Sequence, residues 1–174
     1  MVGGMEQRRL GATGLYVSRL ALGTMTWGRD TDEDDASSQM KAYLEAGGTL
    51  IDTADVYVDG ESERVVGRML QGVVKREDVI VATKAVSRRG QQRDRDASRR
   101  HLLSALDGSL ERLGTDYVDL WQLHAWDPAT PIEETLAALD TAVASGRVRY
   151  VGISNYTGWQ TAKAATWQLS LIHI

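Results

Sequence analysis

No cysteine occurs in the 174 residues, which removes disulfides, thiol catalysis and Cys-ligated zinc together. Histidine is scarce. His101, His124 and His173 are the only three, and none stands three or four residues from another, so no dedicated metal site is read. No apolar run approaches the roughly 18 residues that a membrane span needs. The first six residues, Met1 to Glu6, carry neither a basic start nor an apolar stretch, so no secretory signal is read and a cytoplasmic location is expected. Excess charge is missing too. Lys+Arg 20 against Asp+Glu 24 leaves −4, which argues against a nucleic-acid or anionic-membrane footprint. What is present is ordinary for one globular domain: 43% hydrophobic and 25% charged residues, too apolar for global disorder.

Short apolar runs alternate with amphipathic stretches, the pattern of βα units on a parallel sheet. The expected strands are Arg19–Thr24, Thr49–Asp52, Val79–Thr83, Tyr117–Leu123 and Val148–Ile153, brief and mostly apolar. Before them, Arg8–Leu10 and Leu15–Ser18 flank Gly11-Ala12-Thr13-Gly14 and read as a small hairpin. Helices are expected over Asp32–Ala46 (stripe Ala36, Met40, Leu44), Glu61–Leu70, Asp96–Leu113 (stripe Leu103, Leu106, Leu110, Leu113) and Tyr156–Gln168. Thr130-Pro131-Ile132-Glu133 reads as a capping box, with Pro first in a helix that carries Leu136, Leu139 and Val143. The fold class is therefore α/β: a hairpin followed by about five βα units. Between Ser87 and His101 lie six arginines (Arg88, Arg89, Arg93, Arg95, Arg99 and Arg100). With no aromatic residues among them to stack on bases, they read as a solvated loop and helix face.

Strand parity singles out the unusual positions, because alternate residues of a barrel strand point inward. The set containing Leu50 ends at Asp52, the set Ile80 and Ala82 ends at Lys84, and the set Val118, Leu120 and Gln122 ends at His124. Three strands in succession thus finish at the carboxyl edge on an ionisable residue, where α/β active sites sit. Each has a structural alternative: a solvated lysine, a packed histidine, an aspartate capping the next turn. With Tyr57 on the loop after Asp52, the four form a proton-donating set. An ammonium beside a phenol favours its ionised form, and a carboxylate keeps that ammonium charged.

These residues stand in segments that resemble the NADPH-dependent aldo-keto reductases. The carriers are Leu22-Gly23-Thr24-Met25-Thr26-Trp27-Gly28; Leu50-Ile51-Asp52-Thr53-Ala54-Asp55-Val56-Tyr57, with Gly60-Glu61-Ser62-Glu63 and Gly67 after it; Val79 to Lys84; Ser109 to His124; and Val151-Gly152-Ile153-Ser154-Asn155. Five segments in the family's order cover about Arg8 to Trp167. The resemblance implies a (β/α)8 barrel that reduces aldehydes or ketones with NADPH. It implies Tyr57 as general acid, Lys84 paired with Asp52 as the group that makes the phenol a better acid, and His124 as the residue orienting the carbonyl. It also implies Ser154 and Asn155 on the nicotinamide carboxamide, and Gly23, Thr24 and Met25 beside its ribose. Trp27 and Trp126 are expected as walls of the substrate pocket or, equally, as covers of the sheet end. A regulatory protein of the same fold, holding NADPH with little turnover as channel-associated relatives do, is the alternative.

A full barrel of this type needs about 250 residues, and about 200 at the short end. Five strands are read here, so the chain is expected to be an N-terminal portion of the enzyme, inactive alone, without the segment that clasps the adenosine phosphate. The last six residues, Leu169 to Ile174, equal one translated frame of a transposon end used in sequencing libraries. They are expected to be foreign to the fold, leaving 1–168 as the partial barrel domain. The oligomeric state and the identity of the carbonyl substrate are not legible.

Overall fold

The computed structural model describes residues 4–88 and 90–171. Strands β1 (Gln7–Arg9) and β2 (Tyr16–Ser18) pair antiparallel as the expected hairpin. Five strands then form one parallel sheet in chain order: β3 (Ala21–Gly23), β4 (Leu50–Asp52), β5 (Ile80–Ala85), β6 (Val118–Leu123) and β7 (Val148–Ile153). Helices α1 (Glu33–Glu45), α2 (Glu61–Gly72), α3 (Arg99–Leu113) and α4 (Ile132–Ala144) make the crossovers, and α5 (Gly158–Leu171) follows β7. Strand order that runs 3-4-5-6-7 without reversal belongs to a barrel wall and not to a doubly wound sheet. The wall is open, with β3 and β7 at its edges.

The register fixes which side chains share a face. Leu50 pairs with Ile80, Asp52 with Ala82, Ala82 with Leu120, and Lys84 with Gln122, so the inward sets align across three strands. The opposite set faces the helices and is fully buried: Ile51, Val81, Thr83, Trp121 and Leu123 are each 0% exposed. The core lies between the sheet and the helices, where these residues meet Met40, Val66, Leu102, Leu106 and Leu139. Leu50 and Ile80, facing the inside of the open wall, are only partly buried.

Element ends depart from the expected bounds for local reasons. β3 starts at Ala21 because Leu20 carbonyl oxygen is taken by Ser18 Oγ and the Tyr43 hydroxyl. α3 starts at Arg99, capped by Ser98, because Asp96 instead accepts from the Ser98 amide and pairs with Arg88 at 3.2 Å. Its most buried stripe is Leu102, Leu106, Ser109 and Leu113, with Leu103 and Leu110 flanking it. Thr130 does not cap α4. Its hydroxyl donates to Asp127, so Pro131 becomes the cap and the helix starts at Ile132. Val143 is 39% exposed, and Ala138 and Ala142 take its place against the sheet. α5 begins at Gly158, two residues later than expected, and runs to Leu171; Ile172 to Ile174 lie outside the described residues.

The arginine-rich loop is tied down chiefly by acidic side chains and carbonyls. Arg93 reaches Asp127 at 2.6 Å, Arg95 donates to Trp126 carbonyl oxygen, and Arg99 bonds Ala137 carbonyl oxygen and Thr141 Oγ1; Arg89 lies outside the described residues. Asp119, on the helix-facing side of β6, accepts from Arg76 at 2.6 Å and from the Val81 amide at 2.9 Å. It anchors the start of β5 to β6.

Gly67 sets how closely α2 and α3 approach. A Cβ there would stand 2.7 Å from the Arg112 carbonyl oxygen and 2.9 Å from that of Leu113, backbone atoms that cannot swing aside. Gly→Ala inside a helix ordinarily gains roughly 0.8–1 kcal/mol. Here the sign should reverse. Gly67→Ala is expected to destabilise by about 1–3 kcal/mol through overpacking, whereas Gly72→Ala, with nothing within 4 Å, should be neutral or stabilising. Urea midpoints of the two variants check this, and equal gains would mean the helices part freely.

Candidate active site

Lys84 organises the carboxyl edge. Its side chain is 8% exposed, so the ammonium must find partners for its three N–H donors. It finds Asp52 Oδ2 at 2.7 Å, the Thr53 carbonyl oxygen at 2.8 Å and the Tyr57 hydroxyl at 3.4 Å. Gln122, next along β6, donates to the other oxygen of Asp52 at 3.4 Å. The Tyr57 and His124 rings meet edge to face with centroids 5.8 Å apart. Asp52, Tyr57, Lys84 and His124 are thus gathered at one end of the sheet.

Backbone turns hold them there. After Tyr57, residues Val58, Asp59 and Gly60 all take left-handed angles, with φ of 49°, 52° and 86°. That conformation is strained for a β-branched valine, and it swings the chain directly into α2. Gly60 is needed twice, for its φ and because a Cβ would lie 2.7 Å from Arg112 Cδ. The His124 amide donates to Ala85 carbonyl oxygen, and the Ser154 amide to that of Leu123, so both residues continue their strands' pairing by one step. Asn155 has φ 55°, which asparagine tolerates, and its Nδ2 donates to the His124 carbonyl oxygen at 2.8 Å.

The other expected site residues divide. Gly23, at the end of β3, has nothing within 4 Å of where a Cβ would stand, and Met25 is 57% exposed. Thr24 is fully buried, backbone included: its hydroxyl is bonded to Ser62 Oγ and Asp52 carbonyl oxygen, its amide donates to Asp52 carbonyl oxygen and its own carbonyl oxygen accepts from Ser62 Oγ, so this structure gives it no face toward a ligand. Trp27 is corrected. It is 1% exposed, with Nε1 donating to Gln39, and packs in the core under α1, so it walls no pocket. Trp126 stays half-buried beside the site, edge to face with Tyr156 at 5.3 Å and Trp159 at 5.4 Å. Burial pushes the Tyr156 phenol up to about 12, with the Asp127 charge adding to it. Gln122 belongs to the inward set by parity, and a polar residue two before His124 is its sequence signal.

The profile of the Aldo/keto reductase family matches residues 19–173. The chain belongs to that family. It is 42% identical over 92% of its length to the uncharacterized oxidoreductase YrpG of Bacillus subtilis, and spans 52% of that protein. It is 35% identical over 92% of its length to a protein named as a probable voltage-gated potassium channel subunit beta from Oryza sativa, spanning 49% of it. Among solved structures, the holo form of aldo-keto reductase AKR11C1 from Bacillus halodurans superimposes with a TM-score of 0.78 at 42% identity, over 87% of this chain and 50% of that one. The chain therefore spans about half the length of these relatives, and its five strands are an open part of the (β/α)8 barrel.

Asp55, at the same end of the sheet, has its proton affinity raised. It lies in the loop between Asp52 and Tyr57, its amide donating to the Lys84 carbonyl oxygen. Oδ1 is buried without a hydrogen-bond partner. Burial pushes its carboxyl up to about 7, with the Glu63 charge adding to the effect and Arg112 opposing it. The sign follows from linkage. Between about pH 4 and 7 the unfolded chain releases this proton while the folded one keeps it, so folding stability falls as pH rises across that window. Asp55→Asn should remove that decline. Its advantage over the parent should grow from pH 4 and level off above 7 in urea melts, and a constant difference would contradict the burial.

Proposed function

We propose that the complete enzyme carrying this chain reduces aldehydes or ketones to alcohols with NADPH, and that Tyr57 is the general acid. The observation that carries this reading is Lys84 Nζ held between Asp52 Oδ2 and the Tyr57 hydroxyl. Because Lys84 donates to the phenol oxygen, the phenol's own proton is left for a carbonyl oxygen in front of it. As that proton departs, the ammonium 3.4 Å away stabilises the phenolate left behind. Asp52 balances the buried cation. His124, whose ring centroid lies 5.8 Å from that of Tyr57, orients the carbonyl and shares in the proton transfer in this reading.

The residues present fit the nicotinamide end of the cofactor. Ser154 and Asn155 offer a hydroxyl and an amide beside His124, and Gly23 leaves open space against which a ribose can lie. Bound there, NADPH supplies the hydride. Trp126, with Tyr156 and Trp159, supplies an apolar flank for the substrate. The relative named as a channel subunit favours a second reading, in which the same site holds NADPH with little turnover. Carbonyl-dependent NADPH oxidation separates the two.

Tyr57→Phe keeps the ring and removes the proton. In the full-length enzyme it should lower turnover by about 10²–10⁴-fold while leaving cofactor binding in place. Near-normal turnover would remove Tyr57 from the reaction. The 174 residues expressed alone should turn over nothing, because β3 and β7 present unpaired backbone edges and the inward side chains lack an opposite wall. Association in sedimentation runs and absent NADPH fluorescence enhancement are the expected results. A monomer that binds NADPH as an intact relative does would contradict them.

A further inference from the structure

Two adjacent side chains in the first turn of α2 join three strand ends. Ser62 and Glu63 are both fully buried. Ser62 Oγ donates to the Thr24 carbonyl oxygen at 2.7 Å and lies 2.8 Å from Thr24 Oγ1 and 2.9 Å from Thr53 Oγ1. Glu63 accepts from Thr83 Oγ1 at 2.5 Å and, through its other oxygen, from Arg112 Nε at 2.7 Å. Each threonine adjoins a residue of the site: Thr24 follows Gly23, Thr53 follows Asp52, and Thr83 precedes Lys84. The Thr53 carbonyl oxygen is itself a partner of Lys84. Tyr57 leads into the same helix through the left-handed turn.

We propose that Ser62 and Glu63 are positioning residues, which lock the ends of β3, β4 and β5 at the offset where Lys84 reaches both Asp52 and Tyr57. Apolar packing at this place would let the strand ends slide, since dispersion has little direction. Buried hydroxyls and a buried carboxylate have directed bonds, and losing one leaves a polar group without water. Arg112 is part of the device because it balances Glu63, whose side chain is 0% exposed. The Lys84–Tyr57 contact, at 3.4 Å, is the longest of the ammonium's three and the first to open if β5 shifts.

This inference rests on Tyr57 being the proton donor, but its test needs no turnover. In the full-length enzyme, Tyr57 ionisation is followed as tyrosinate absorbance, with the matching Tyr57→Phe protein subtracted. Asp55 faces Glu63, Arg112 and Lys84, and it ionises near neutrality, below the range in which phenols titrate. Thr83→Val keeps the side-chain shape and removes the donor to Glu63. If Nζ then retreats from the phenol, the phenolate loses the cation beside it and the midpoint moves upward. Thr83→Ser keeps the hydroxyl and should hold the parent midpoint. Val148→Ala, buried at the far end of the sheet, should lower stability without moving it. Should Thr83→Val fail to fold, Ser62→Ala decides by the same upward shift. An unmoved midpoint in the folded variant overturns the proposal, as does an equal shift in Thr83→Ser or Val148→Ala. Normal turnover in Tyr57→Phe would instead overturn the reading of the active site.

Discussion

A lysine ammonium buried at the end of a strand is the constraint around which this chain is arranged. An unpaired cation there would cost several kcal/mol, and Lys84 avoids that cost only while three acceptors converge on it. One is on β4, one on the backbone just past β4, and one on the loop that leads to α2. The strained turn at Val58 and Asp59, and the glycine after it, deliver the last of these. Satisfying one buried charge therefore fixes the offset of two strands, the path of a loop and the starting point of a helix.

The two faces of the sheet do different work. The helix-facing side is a closed, largely apolar core in which Ile51, Val81, Trp121 and Leu123 meet the helices. The inward side carries Asp52 and Lys84, with His124 just past it, and is only partly covered. Stability and chemistry are thus separated by the pleat: one residue faces the helices, and the next, at the same strand end, faces the site. The threonines at 53 and 83 lie on the structural side of residues that lie on the chemical side. Hydrogen bonds from α2 to those threonines carry the rigidity of the core across the sheet.

Membership of the Aldo/keto reductase family accords with that plan, since the match over residues 19–173 takes in every strand of the parallel sheet. The matched relatives are about twice as long. The open edges at β3 and β7 and the partly exposed Leu50 and Ile80 are the physical counterpart of that difference.

The alternation of βα units, the five strands in order and the inward parity of Asp52, Lys84 and His124 were legible in the sequence, because a side-chain period of two and helix-capping glycines are local properties. Local reading also located the helices to within about two or three residues. It failed where a side chain took a partner outside the element that its local pattern suggests. Thr130 has the pattern of a cap but bonds Asp127, and Asp96 reads as helical but ties a loop to Arg88. Trp27 sits in a loop segment yet fills the core, and Asp119 gains its meaning from Arg76 and the Val81 amide, 43 and 38 residues away. Ser62 and Glu63 look like the polar first turn of a solvated helix. Only the folding of α2 against three strand ends takes them out of water, and a buried polar group is then obliged to bond whatever the tertiary structure has placed beside it.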